Sequence, residues 1–180
     1  MRIIRENCTG LVVDIQDKLF PLMAEKESML ASCIKLIEGL QVLGIPILVT
    51  QQYSKGLGGT IDEISSLFDP FTFFEKETFS CLENPDYYES LQTKGRTTVL
   101  LSGIESHVCV LQTAIDLQEQ GFQPIIISDC VSSRNLNEKR IALDRFQLEG
   151  IRVSTVESVL FELTRSSKAP EFKTISKLIK

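Results

Sequence analysis

The 180-residue sequence predicts an α/β fold in which a parallel sheet is covered by helices on both faces. Two observations carry this expectation. Six short runs are near-continuously apolar, as strands buried on both faces are. They alternate with stretches of helical spacing, the pattern of βαβ crossovers. Right-handed crossovers then bring all the strand C-terminal ends to one edge, where open α/β sheets bind ligands.

Thr9 to Ile15 (TGLVVDI) reads as the first strand, closing on Asp14. Leu30, Cys33, Ile34, Ile37 and Leu40 form one stripe of a helix from about Glu27 to Leu43, with Gly44 as its stop. Ile45 to Thr50 is the second strand, its proline near the start, where a missing donor matters least. A polar, glycine-rich loop runs from Gln51 to Thr60, and Ile61 to Leu67 reads as a short helix.

Phe71 to Lys76 is the third strand. Asn84-Pro85 opens a helix with a capping residue and a first-turn proline, running to about Thr93. Thr97 to Leu101 is the fourth strand, stopping at Ser102-Gly103. After it, Val108, Leu111, Ala114, Ile115 and Leu117 mark a helix to Gln120 whose first turn carries Cys109. Pro124 to Ser128, a helix from Asn137 to Leu148, Ile151 to Ser154 and a helix from Val156 to Leu163 complete the alternation. The whole of 1–180 is expected to be one domain. Its tail, 165–180, is amphipathic through Phe172, Ile175, Leu178 and Ile179, and is suited to dock on its own domain or on a neighbouring subunit.

Composition narrows the function. The net charge is −5 and the basic residues are scattered, so no nucleic-acid footprint is expected. No apolar run approaches the ~20 residues of a membrane span, and Met1 to Asn7 lacks the apolar stretch of a secretory signal. The five cysteines are odd in number, widely spaced and without a Cys-x-x-Cys pair, which suits reduced thiols and a cytoplasmic location. With a single histidine, His107, a metal site is not expected, nor is any other cofactor.

Three chemistry-bearing residues stand where strands end: Asp14, Lys76 and Cys109. A cysteine at a helix N-terminus faces unpaired N–H groups and the positive end of the helix dipole, which favours the thiolate. Cys109 could then attack a carbonyl carbon while Asp14 takes and returns a proton and Lys76 holds both anions in place. Backbone N–H groups of the Glu105–Cys109 turn could cradle the oxyanion. Each residue also has a structural reading: a core cysteine, a turn-capping aspartate, a solvated lysine between Glu75 and Glu77. His107, two residues from Cys109, points elsewhere and reads as turn packing or hydrogen bonding.

Taken together, the motifs resemble the isochorismatase-like cysteine hydrolases over roughly Leu11 to Leu160. They are Leu-Val-Val-Asp14-Ile-Gln16-Asp, Thr50-Gln-Gln52-Tyr53-Ser-Lys-Gly-Leu-Gly58, Glu75-Lys76-Glu-Thr-Phe79-Ser80, Gly103-Ile-Glu105-Ser-His-Val-Cys109-Val and Ser128-Asp129-Cys-Val-Ser-Ser-Arg134. The resemblance implies a three-layer α/β/α, Rossmann-like fold with a six-stranded parallel sheet. It also implies an Asp14–Lys76–Cys109 triad, a non-proline cis peptide at Ile104–Glu105, a small-molecule substrate and a homo-oligomer. Phe20, Gln52, Tyr53 and Phe79 are candidate pocket walls, with Gln16 hydrogen bonding near Asp14 and Ser106 beside the nucleophile.

Departures from relatives narrow the expectation. Metal-dependent nicotinamidases of the family carry histidines after the second strand, and this loop has none. Isochorismatases proper cleave a vinyl ether without needing a thiol nucleophile, so the retained Cys109 favours amide or ureido C–N hydrolysis through a thioester. Vinyl ether hydrolysis and a non-catalytic interaction module that kept the fold are the alternatives. Gln16 stands where an aspartate-nucleophile phosphatase needs its second carboxylate, Ile115 where a cysteine phosphatase needs arginine, and no phosphate-binding glycine motif is present.

Overall fold

The computed structural model describes residues 2–180. In chain order the elements are β1 (Cys8–Val13), α1 (Lys26–Val42), β2 (Ile47–Gln52), the single turns α2 (Ser54–Leu57) and α3 (Asp62–Ser65), and β3 (Phe74–Lys76). There follow α4 (Pro85–Thr93), β4 (Thr98–Ile104), α5 (Leu111–Glu119), β5 (Gln123–Ser132), α6 (Leu136–Leu148), β6 (Arg152–Ser154), α7 (Val156–Thr164) and α8 (Phe172–Ile179). The sheet has six strands in the order β3-β2-β1-β4-β5-β6, and every neighbouring pair is parallel.

Alternation along each strand divides the core into two layers. Cys8 and Val12 of β1, Leu100 and Ile104 of β4, and Ile125 and Ile127 of β5 face α1, α7 and α8. Leu11 and Val13, Val99 and Leu101, and Ile126 face α4, α5 and α6 instead. This is the three-layer arrangement expected, because strands apolar at consecutive positions must be covered on both sides. The tail docks on its own chain. Ile175 is fully buried, Phe172 packs on Phe161 with ring centroids 6.2 Å apart, and Glu171 pairs with Arg5 at 2.8 Å.

Several strand limits differ from the expected ones, and each difference bears on the site. β1 stops at Val13, and Asp14 turns out of the sheet with φ +52°. β2 begins and ends two residues late, so Thr50 and Gln52 lie inside it. β3 keeps only Phe74–Lys76, while Phe71 stacks between Phe68 and Phe73 off the sheet.

The largest correction is at β4, which continues through Ser102-Gly103 to Ile104 instead of turning there. Gly103 has φ +121°, and a Cβ on it would lie 2.1 Å from the Val13 carbonyl oxygen. Glycine is needed here for close approach of two backbones, not for a turn. That approach sets the end of β4 against the end of β1, on the line where the strand order reverses.

Candidate active site

Asp14, Lys76 and Cys109 converge at this reversal, although Lys76 comes from two strands away. Its side chain crosses the end of β2, and its Nζ donates to Asp14 Oδ2 at 2.6 Å, to Gln52 Oε1 at 2.7 Å and to the Thr78 carbonyl at 3.1 Å. The lysine side chain is 1% exposed and the aspartate 0%. Burial works to deprotonate Lys76, but Asp14 chiefly, with Cys81 and Cys109, outweighs it and holds the ammonium above its ordinary value.

The other oxygen of Asp14 is also occupied: Oδ1 accepts from the Thr50 hydroxyl at 2.8 Å. Left-handed backbone, which aspartate tolerates better than most residues, turns this side chain away from the sheet axis. Behind Thr50 lies Cys81, with Sγ 3.7 Å from Oγ1. Thr50 opens a motif block without any role assigned to it, and the β1–β2 register, which pairs it with Val13, brings it to Asp14, while Cys81 reaches it from the turn after β3.

Cys109 sits in a π-helical turn, Ser106–Val110, between β4 and α5. The turn hangs from the Glu105 carbonyl, which accepts from Val108 N at 3.1 Å and Val110 N at 3.2 Å. The Ile104–Glu105 peptide is cis. The Glu105 carboxylate is tied down in turn, accepting from Arg134 N at 3.0 Å and Nε at 3.1 Å.

At 7% exposure, Cys109 is the member of the trio that meets solvent most. Its thiol is not the depressed one expected of a helix N-terminus. Burial first, then the Asp14 charge and the hydrogen bond to Asp14, push it up to about 12 against the lowering effect of Lys76. A helix dipole lowers a thiol at a wet helix end, whereas this one is buried beside a carboxylate. Here burial and the neighbouring carboxylate favour the protonated thiol.

The candidate pocket residues separate into distinct roles. Gln16 is fully buried and spent: its Nε2 donates to the carbonyls of Gln52 (3.0 Å) and Gly58 (2.7 Å), and its Oε1 accepts from Gln52 N (2.7 Å). It brackets β2 to the following loop and has no polar atom left for a ligand. Gln52 positions Lys76 and donates its own amide to the Glu77 carbonyl at 2.6 Å.

Phe20, half-buried in a 3₁₀ turn, packs against the core layer of α1. Tyr53 and Phe79 are exposed, at 49% and 53%, and remain available as walls. Ser106 is fully buried with its hydroxyl unpaired. His107 Nδ1 lies 2.9 Å from Ser133 Oγ, a bond within the turn's packing. Among the described residues no group of three or more His, Cys, Asp or Glu side chains could hold a metal ion, and no helix is long and apolar enough to cross a membrane.

Comparison with known proteins places this geometry in a family. The isochorismatase domain model matches residues 9–158, most of the chain. The chain belongs to the isochorismatase family. Among relatives of this family, the secreted isochorismatase effector Isc1 of Phytophthora sojae is 36% identical over 99% of this chain and 87% of its own length. Isochorismatase domain-containing protein 1 of Salmo salar is also 36% identical, over 93% of this chain, which spans only 59% of that longer protein. The structure of a Caenorhabditis elegans protein described as MAR1 ribonuclease superposes with a TM-score of 0.93 at 33% identity, covering 99% of this chain and 92% of that one. The Escherichia coli YcaC structure, an octameric hydrolase of unknown specificity, shares the fold with a TM-score of 0.93 at 21% identity, covering 99% and 89%. The chain is therefore an isochorismatase-family hydrolase with an α/β/α fold.

Proposed function

We propose that this hydrolase cleaves the C–N bond of a small amide or ureide through a thioester on Cys109. The supporting observation is a fully buried Asp14 carboxylate fixed by Lys76 at 2.6 Å, beside a Cys109 thiol that burial and the Asp14 charge push up.

In this reading Asp14 removes the thiol proton as sulfur adds to the carbonyl carbon. The resulting oxyanion falls to backbone N–H groups of the Glu105–Cys109 turn, apart from that of Val108, which the Glu105 carbonyl engages. Asp14 returns the proton to the departing nitrogen, the C–N bond breaks, and the acyl group stays on sulfur. A water then loses its proton to Asp14 and adds to the thioester carbon. The C–S bond breaks and the thiol recovers the proton. Lys76 stays charged throughout and offsets the alternating negative charge of its two neighbours.

A ribonuclease activity, as in the description of the Caenorhabditis elegans protein, is not carried over. A net charge of −5 opposes a polyanionic substrate, whose binding rests on basic side chains. For the homo-oligomer expected from the resemblance, exposed Phe73 and Phe79 supply apolar surface.

A panel of small amides, ureides and vinyl ethers run on wild type and Cys109→Ala tests the reading. Turnover of an amide or ureide, lost in Cys109→Ala and accompanied by an acyl adduct on Cys109 in the wild type, is expected. Vinyl ether turnover that survives Cys109→Ala, with no amide turnover, would replace this reading with the isochorismatase reaction. No turnover of any class would favour the interaction module.

A further inference from the structure

Asp14 needs more than Lys76 to serve as a base, because a carboxylate held at one oxygen can still rotate. We infer that Thr50 is a positioning residue for Asp14, and that Cys81 fixes the direction of the Thr50 hydroxyl. The inference rests on Asp14 acting as the base proposed above.

A proton inventory carries the argument. Thr50 Oγ1 is 2.8 Å from Asp14 Oδ1 and 3.7 Å from Cys81 Sγ. A hydroxyl has one proton to give, and an ionised carboxylate can only accept. The Thr50 proton therefore belongs to Asp14. At the Cys81 contact, where geometry alone allows either atom to donate, the thiol is the donor. Burial pushes Cys81 up to about 11, so the thiol keeps its proton.

The result is a directed chain, Cys81 S–H to Thr50 O–H to Asp14, ending on the carboxylate oxygen that Lys76 does not hold. Cys81 is itself located by its backbone N–H, which donates to Thr113 Oγ1 of α5 at 3.0 Å. The ionisable groups that act on this cluster are Lys76 from β3, Cys81 from the 3₁₀ turn before α4, and Cys109 from the π turn; Tyr87 of α4 lies behind Cys81.

Such a chain does two things. It holds the carboxylate plane against rotation, and it gives the Asp14 oxygen that Lys76 does not reach a donor of its own. A Thr50 that merely filled space would do neither, and valine would replace it without effect on the chemistry.

The test is acylation by 4-nitrophenyl acetate. Its leaving group departs without a proton, so the burst of 4-nitrophenolate reports removal of the thiol proton. Wild type and Thr50→Ser are expected to share one pH profile. Thr50→Val is expected to acylate at least ~10-fold more slowly at neutral pH, a part of the ~10²–10⁴-fold that a positioned proton acceptor supplies. Its acid limb should also move to higher pH, with Cys81→Ala lying between. A folded Thr50→Val with the wild-type rate and limb overturns the inference. If Thr50→Val does not fold, an unchanged limb in Cys81→Ala overturns it. Asp14→Asn separates the two levels: should it acylate like wild type, the base assignment itself fails. A wild type never acylated on Cys109 overturns the thioester reading and this inference with it.

Discussion

Lys76 Nζ lies 2.6 Å from Asp14 Oδ2 with both side chains sealed from solvent. A buried ion pair adds little stability by itself, but removing one partner leaves a charge in a low-dielectric site. Asp14→Ala should therefore destabilise the fold by about 3–5 kcal/mol. The urea midpoint measures this, and an unchanged midpoint would mean that Lys76 finds water in the fold.

Gly103→Ala tests the meeting of β1 and β4. The added methyl would meet backbone atoms of Val13, which cannot swing aside, at a φ of +121°. Overpacking and the disallowed backbone together should cost about 2–4 kcal/mol. Chemical denaturation of the variant checks the figure.

Gln16→Leu should act on stability and on the 52–58 loop rather than on ligand binding. It strands the Gln52 N–H and two carbonyls that the amide now satisfies. Each unsatisfied buried group costs about 1–3 kcal/mol. Hydrogen exchange at Gln52 is expected to accelerate; protection equal to wild type would show that the bracket is dispensable.

Alkali should unfold the protein in a defined window. Burial raises Cys8 and Cys81 to about 11 and Cys109 to about 12, from an ordinary 9.0, and Lys76 is held up as well. Above the ordinary value the unfolded chain loses protons that the folded chain keeps. Stability is thus full below pH 9 and lost as pH rises toward 11 and 12, at roughly 1 kcal/mol per pH unit for each thiol. Urea midpoints at about pH 8 and about pH 10.5 should fall steeply in wild type and less steeply in Cys81→Ala.

Much of the fold was legible because its information is local. The apolar runs around Val12, Val49, Leu100 and Ile126 needed no partner to be read as doubly covered strands, and the Asn84-Pro85 helix start announced itself. What escaped is set at long range. Ser102-Gly103 looks like a turn until Val13 is laid beside it. Gln16 looks like a ligand-facing amide until Gln52 and Gly58 close on it. Thr50 is an ordinary strand residue until the register brings it to Asp14, and Cys81 an ordinary turn residue until it meets Thr50. Cys109 looks like a thiol lowered by a helix N-terminus until burial and the neighbouring carboxylate, which push it up, are laid around it.

The thiolate absorbance of Cys109 followed against pH reads directly whether burial and Asp14 keep the thiol neutral until attack. Wild-type Cys109 should titrate above its ordinary 9.0, with no thiolate absorbance while the fold is at full stability. Asp14→Asn should bring it down, because the carboxylate's charge and hydrogen bond are lost while Lys76 remains. Lys76→Met should drive it higher still. A wild-type Cys109 already ionised at neutral pH, or one unmoved by Asp14→Asn, would contradict the account.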